Sequence, residues 1–555
     1  MKEQKNVYKW LNNRTAGQKA KIVWLIISNA LFSALSVVFA FAIKGIIDGA
    51  TNENREVGNK QLLISAVIIF AIIVLQFVFR FVINGLTEHI RGKLEISIKG
   101  NLFSQILVKK YEKINQVHSG ELINRITADA TIVADGVTSI IPTVISALVR
   151  LICAIIALVY LDWIFAIAFI VAGALVFLIL TATRGLLKNL HKKAQETDGK
   201  TRSFMQECIE NLLAIKVFSV EDKTDKKAEE LQNENFKVKM KRKNVSVLGH
   251  ASYNFIFSAG YVFALIYGAL KIVKDVMTYG SLSAILQLVN NVQVPFASLS
   301  GIAPKYFSLI ASAERIMEIE DYEEEVKSKY FNVNSVYQNL SSIEIANLGF
   351  KYSRDIVFEK ANLTIDKGDF IAITGSSGIG KSTLIKLLLG VYEVEKGSLT
   401  IKGKEDIEIN SSTRRLFAYV PQGNSLFSGT LKENLCFVDR VVTDEEIEKA
   451  LEISCLKDFL LELPNGLNTV IGENGLGLSE GQAQRVAIAR AILSKAPVLL
   501  FDEATSALDE NTEEKLLSNL KNLNDVTLVI ITHRKSALSI CNRKVKIQSK
   551  KIVEI

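Results

Sequence analysis

The residue types best fitted for chemistry sit toward the C-terminal end of the chain. The segment "FIAITGSSGIGKSTLIKLLLG" reads as an apolar strand, a glycine-rich turn and a helix, and its Gly375, Gly380, Lys381 and Ser382 fit the phosphate-loop pattern. Glycines let backbone N–H groups close around phosphate oxygens, and the helix N-terminus adds positive potential. Lys381 can then reach the β- and γ-phosphates of ATP, and the Ser382 hydroxyl can ligate Mg²⁺. Downstream, "APVLLFDEATSALD" is an apolar strand that ends in two carboxylates. Asp502 is placed to hold Mg²⁺ directly or through water, and Glu503 to polarise an attacking water. Adjacent acids at a strand end are often merely solvated; following a phosphate loop, they acquire a task.

These residues need a scaffold, and the chain provides it in two parts. Its 555 residues exceed what a single core supports. Hydrophobic residues make up 49% and charged residues 22%, with a mean hydropathy of +0.24, a balance that suits an apolar part joined to a polar part. Long apolar runs occupy Ile22–Ile43, Leu62–Phe79, Gly136–Leu161, Asn244–Leu270, Trp163–Thr183 and Val276–Pro304, each near the length of a bilayer crossing. The first run is too long for a cleaved signal and lacks a small-residue cleavage site, so it is expected to remain as a span. The connections at about 84–135 and 184–247 are long and rich in Lys and Arg, which places them and both termini in the cytosol. The first of them repeats apolar residues at helical spacing without proline, so it is expected to extend as helical rods. The expected organisation is therefore a membrane domain over 1–320, a charged linker over 321–342, and an α/β phosphate-loop ATPase domain over 343–555. In fold class this is an all-α polytopic membrane domain of about six transmembrane helices followed by an α/β domain.

The net charge of +8 follows the loops between spans, the ordinary positive-inside pattern, so no nucleic-acid partner is expected. Cys153, Cys208, Cys436, Cys455 and Cys541 lack the paired spacing of a zinc site or a disulfide framework.

Residues 343–555 resemble the nucleotide-binding domain of ABC transporters along their whole length. "LSEGQAQR", Leu478–Arg485, resembles the family signature; "YVPQ" supplies the Q-loop residue Gln422, "SALD" ends in the D-loop residue Asp509, and "ITHR" supplies the switch histidine His533. Tyr352 in "LGFKYSRD" matches the aromatic that stacks on adenine. The resemblance implies an ATP site formed by Tyr352, Gly375, Ser376, Ser377, Gly378, Ile379, Gly380, Lys381, Ser382 and Thr383 of one copy. Ser479, Gly481, Gln482 and Asp509 of a second copy complete it. It further implies that Glu503, His533 and Gln422 act in hydrolysis and that Ser382, Gln422 and Asp502 surround Mg²⁺. Glu480 stands where the commonest signature has glycine; Ser479 and Gly481 are kept, as are Glu503 and His533, so an active ATPase is expected.

Fusion of a six-span region ahead of the ATPase resembles the bacterial multidrug, lipid and peptide exporters. "HSGELINRITADA", His118–Ala130, is similar to their first intracellular loop, and "ECIENLLAIKVFSVED", Glu207–Asp222, to the second, whose short helix docks on the partner's ATPase domain. "SAERIMEIED", Ser312–Asp321, resembles their exit from the last span, and "TVIGENGLGLSEGQ", centred on Gly472 and Glu473, the segment that touches the coupling helices. The resemblance implies a half-transporter of the bacterial plasma membrane that works as a homodimer, or as one arm of a heterodimer, and exports a lipid, drug or peptide. An ATP-gated regulator or channel is the alternative, and the spans exclude a soluble ABC ATPase. The short polar N-terminus argues against a leader-trimming peptidase domain. Arg80, Arg150 and His250 are ionisable residues within spans and hence candidates for the substrate path, with Gln287, Asn290, Asn291 and Gln293 as a polar set in the last span. If Arg150 faces that path, an acidic or carboxylate-bearing substrate is favoured.

Overall fold

The computed structural model describes residues 2–325, 332–352, 355–423, 425–438, 440–472, 475–523 and 525–555; the side chains of 2–5, 180, 184, 250 and 300 are outside the description. The expected contribution of Glu473, and part of the linker expected at 321–342, thus fall outside the described residues. The chain divides into two compact units: Met1–Ser104 with Ser119–Glu320, and Gln105–His118 with Asp321–Ile555.

The first unit is helical. Its elements, with the tip that the first long loop lends to the second unit, are α1 (Lys2–Arg14), α2 (Lys19–Ala50), α3 (Arg55–Val108), α4 (Tyr111–Ile114), α5 (Ser119–Asn124), α6 (Ala130–Leu161), α7 (Trp163–Glu210), α8 (Leu212–Val217), α9 (Glu221–Val273), α10 (Tyr279–Ser300) and α11 (Ile302–Glu320). The 54 residues of α3 extend about 80 Å, against a hydrocarbon core of about 30 Å. With α7 and α9 of 48 and 53 residues, three helices thus continue far beyond any bilayer, as the helical spacing of the first long loop leads one to expect. Asp162 ends α6 and caps α7, accepting from Ile164 N at 3.1 Å, so the turn between these spans is a single residue.

Among the described residues, five helices are long and apolar enough to cross a membrane. The last expected run is instead broken at Gly301 into α10 and α11. Pro304 has no N–H to donate to the turn before it, which favours a break there, and the polar set in α10 lowers its apolarity. Helix α10 packs against α2, α6 and α9. Small residues at their crossings, among them Ala40, Ala154, Ala157 and Ala264, let the helices approach closely around Phe165, Phe257, Ile285 and Leu288. Leu63, Val67, Phe70, Phe77 and Phe81 of α3 are exposed, the pattern of side chains that face lipid.

The second unit carries β1 (Ser342–Tyr352), β2 (Asp355–Asp366), β3 (Phe370–Thr374), β4 (Lys396–Lys402), β5 (Ile407–Glu408), β6 (Phe417–Val420), β7 (Gly429–Thr430), β8 (Val470–Ile471), β9 (Val498–Asp502), β10 (Thr527–Ile531), β11 (Arg543–Gln548) and β12 (Lys551–Glu554). Its helices are α12 (Val333–Asn339), α13 (Lys381–Leu388), α14 (Leu431–Leu435), α15 (Asp444–Ile453), α16 (Lys457–Glu462), α17 (Glu480–Leu493), α18 (Glu510–Lys521) and α19 (Lys535–Ile540). A six-stranded sheet has the order β12-β11-β3-β10-β9-β6, parallel except for β12. A four-stranded antiparallel sheet, β2-β1-β4-β5, packs with it around one core. Strands β9 and β10 are buried at every position, which is why they read as unbroken apolar runs.

Candidate functional site

The parallel register decides where the site forms. Ile373 pairs with Ile531, and Ile531 with Asp502, so β3, β10 and β9 end level with one another. The phosphate loop follows β3, Glu503 follows β9, His533 follows β10 and Gln422 follows β6. All four segments therefore leave the carboxyl ends of parallel strands, where open α/β sheets bind ligands.

Within the phosphate loop, Gly380 has φ +109°, and a Cβ there would meet Val357 Cγ1 at 2.4 Å, so only glycine fits. Lys381 opens α13 and is buried at 7% exposure; its Nζ donates to the carbonyls of Gly375 at 2.8 Å and Ser376 at 3.1 Å. Among the described residues no carboxylate pairs with it. A buried ammonium held only by neutral carbonyls is an electrostatic socket for an anion.

Asp502 ends β9 at 3% exposure. Burial pushes its carboxyl above the usual aspartate range, the neighbouring Glu503 adds to this, and hydrogen bonds from Ser382 and Tyr419 oppose it. Tyr419 OH donates to Asp502 Oδ2 at 3.4 Å. This pairing of a serine hydroxyl with a buried carboxylate suits Mg²⁺, which takes one or two protein oxygens and completes its octahedron with phosphates and water. Glu503 holds a left-handed backbone, φ +49°, and its carboxylate accepts from Gln422 Nε2 at 2.8 Å. His533 is exposed on the loop beyond β10. Tyr352, at the end of β1 and 38% exposed, has its hydroxyl 3.3 Å from Thr383 Oγ1.

The remaining expected residues lie elsewhere on this unit. Ser479 caps α17, accepting from Gln482 N at 3.2 Å, while Gln482 Oε1 accepts from Ser479 N at 2.8 Å. A Cβ on Gly481 would approach Ala507 O to 2.8 Å, so the start of α17 lies close against the loop after β9. Glu480 occupies the first turn of α17, where a carboxylate complements the helix dipole. Asp509 caps α18, accepting from Thr512 N at 2.9 Å, which keeps its carboxyl low. The structure thus gathers the phosphate loop, Asp502, Glu503, Gln422 and Tyr352. Ser479 and Gln482 bond to each other at the start of α17, and Gly481 lies close against Ala507.

Sequence reasoning missed several supporting residues. Tyr419 stands three residues before Gln422 in the same motif, and the β6–β9 pairing brings it to Asp502. Gln484 donates to Ser506 Oγ at 3.2 Å and accepts from Ala507 N at 3.1 Å, joining α17 to the loop after β9. Arg534, next to His533, donates to the carbonyls of Ser506 and Leu508 and to Glu513. These are long-range pairs that no local pattern signals.

In the membrane unit, half-buried Arg150 donates through Nε and Nη2 to Asn291 Oδ1 at 3.0 and 2.6 Å. Asn291 Nδ2 in turn donates to Ser36 O at 3.2 Å, so the three residues tie α6, α10 and α2. Among the described residues no carboxylate neutralises Arg150. Arg80 is exposed, with its guanidinium 5.7 Å from the centre of the Phe32 ring. The side chain of His250 lies outside the description.

Residues 21–296 match the family model of the ABC transporter transmembrane region, and residues 358–506 match that of the ABC transporter. An ATP-dependent lipid A-core flippase of Desulfotalea psychrophila is 27% identical over 99% of this chain and 96% of the relative. The lipid A-core flippase of Pectobacterium atrosepticum is 28% identical over 85% of this chain and 82% of the relative. The fold is similar to that of a bacterial Atm1-family ABC exporter solved with ATP bound, at a TM-score of 0.81 and 22% identity, covering 97% of this chain and 95% of that one. With the membrane region and the ATP-binding ATPase fused in this order, the chain belongs to the ABC transporter family, as an exporter-type half-transporter that couples ATP hydrolysis to transport.

Proposed function

We propose that two copies of this chain form an exporter that moves an anionic amphipathic lipid across the bacterial plasma membrane, with the N-terminus and the ATPase unit in the cytosol. The observation that carries the dimer is the exposed apolar tip around α8: Ile209, Leu213, Val217 and Phe218 are 68–78% exposed. Water is a poor solvent for such a cluster, and a second ATPase unit offers exposed Phe427, Phe437 and Leu476 to cover it. The ATP site has the same need. Lys381 and the phosphate loop hold the triphosphate of one copy, and Ser479 and Gly481 at the N-terminus of the partner's α17 cap its outer side.

In the proposed cycle, ATP draws the two ATPase units together. Ser382, Gln422 and Asp502 would hold Mg²⁺, which neutralises phosphate charge when bound. Glu503, oriented by Gln422, accepts a proton from the attacking water, and His533 stabilises the charge that develops on the terminal phosphate. Hydrolysis releases the closed dimer and resets the membrane region.

For the substrate, two features converge on a lipid with an acidic headgroup. The relatives matching nearly the whole chain are named as lipid A-core flippases, and Arg150, held by Asn291, has no carboxylate partner among the described residues. The test is ATP hydrolysis by the purified chain in nanodiscs, with Glu503→Gln as control, titrated with phosphorylated and zwitterionic lipids. Turnover stimulated selectively by the phosphorylated lipid, and lost in Arg150→Ala, supports the reading. A folded wild type as silent as the Glu503→Gln chain overturns the homodimer and points to a different partner chain. Stimulation that is indifferent to headgroup, or intact in Arg150→Ala, overturns the anionic substrate.

A further inference from the structure

We infer that Tyr111, at the tip of the first long loop, is a positioning residue for nucleotide binding that acts through Tyr392 on the base platform Tyr352. The inference rests on the reading of Tyr352 as the side chain that stacks on adenine. Residues 105–118 belong to the same compact unit as the ATPase core, so the whole chain of contacts lies inside one body.

Tyr352 and Tyr392 stand nearly perpendicular, with ring centres 5.5 Å apart and planes at 88°. Phe350 braces both, at 5.0 Å from Tyr352 and 5.6 Å from Tyr392. Tyr392 is buried at 6% exposure, and burial pushes its phenol up to about 12, so it meets its neighbours as a neutral ring at physiological pH. Its other side receives Tyr111, with centres 6.2 Å apart and planes at 79°. An aromatic ring in such edge contacts has few alternative orientations, and what fixes Tyr392 also fixes the ring on which a base would lie.

Tyr111 is itself held in place. The preceding Lys110 pairs with Glu323 at 2.6 Å and with Glu393, the neighbour of Tyr392, at 2.9 Å. The Lys110 N–H donates to Glu323 O at 2.9 Å, and Glu325 N donates to Val108 O at 2.8 Å, a short antiparallel bridge centred on Lys109 and Glu324. The loop tip is therefore registered by main-chain bonds on one side and pressed onto Tyr392 on the other. A shift of the tip by a fraction of a ring width withdraws the brace from the base platform. The reverse follows by linkage: a base on Tyr352 favours the docked position of Tyr111.

The test reads binding of ATP and of inorganic triphosphate, which has no base, to the full chain carrying Glu503→Gln in nanodiscs. Tyr111→Leu is expected to weaken ATP about fivefold, the equivalent of one aromatic edge contact, and to leave triphosphate unchanged. Tyr111→Phe, which keeps the ring, is expected to restore ATP binding, and Lys110→Ala to weaken it in the same direction as Tyr111→Leu. Equal losses for ATP and triphosphate, or unchanged ATP binding in both Tyr111→Leu and Lys110→Ala, overturn the inference. Tyr352→Ala separates the two levels. If it leaves ATP binding unchanged, the base platform itself is wrong; if it weakens ATP while the Tyr111 and Lys110 variants do not, only the positioning role fails. Because the readout is binding, a wild type without turnover leaves the test standing.

Discussion

Glu503 and Asp502 are adjacent in sequence and differ in everything that matters for chemistry. The first accepts a hydrogen bond from Gln422 at 2.8 Å, and the second is sealed at the end of β9 with Tyr419 and Ser382. Glu503→Gln is expected to lower ATP turnover by about 10²–10³-fold, with ATP affinity maintained, as single-turnover hydrolysis and equilibrium binding would reveal. The raised carboxyl of Asp502 makes a different prediction. A group whose carboxyl is raised on folding contributes stability below the unfolded range, about pH 4, and loses it as pH rises through the folded value. Without Mg²⁺ the wild-type ATPase unit therefore melts lower than Asp502→Asn near neutral pH, and the gap closes toward pH 4. A pH series of thermal melts that showed a constant gap would remove burial as the cause. Both carboxylates were legible as a pair after an apolar strand; their unequal surroundings were not, because β6 and β9 meet only in the fold.

Among the elements, the entry to α6 is pinned by side chains from α5 and α11. Residues Arg125–Asp129 form a π-turn between α5 and α6. Buried Asp129 accepts from Arg315 Nε at 2.8 Å and from Ser312 Oγ at 2.8 Å, and Arg125 donates to Glu121, Glu318 and the Arg315 carbonyl. The wide turn and the end of α11 are thus fastened together by charge. Asp129→Asn removes the carboxylate that pairs with half-exposed Arg315 and is expected to cost about 1–2 kcal/mol, visible as a lower melting temperature of the detergent-solubilised protein. Helical periodicity foretold the rods of the long loops, since local spacing is what a helix reads. It did not foretell the π-turn or the break at Gly301, which depend on the fit of side chains from distant segments.

For the whole molecule, the expectation is that an incomplete surface becomes complete in a pair. Phe218→Asp places a charge in the exposed apolar tip and is expected to abolish substrate stimulation of ATP turnover while the ATPase unit keeps its melting temperature. In a chain freed of its five cysteines, Leu213→Cys with Phe437→Cys is expected to yield an inter-chain disulfide on oxidation, read as a doubled mass on a denaturing gel. Monomeric bands only, with both thiols reactive, would place the tip elsewhere.

Local order settled much of this protein in advance. A phosphate loop requires glycines, a lysine and a hydroxyl in consecutive positions, and a span requires an unbroken apolar run; both constraints act between near neighbours, so the chain displays them. The tertiary structure alone decided the partners: Gln422 for Glu503, Tyr419 for Asp502, Asn291 for Arg150, and Tyr111 for Tyr392. Each joins residues brought together only when the sheet register, the helix crossings and the loop tip take their places, and such pairings leave no spacing to read.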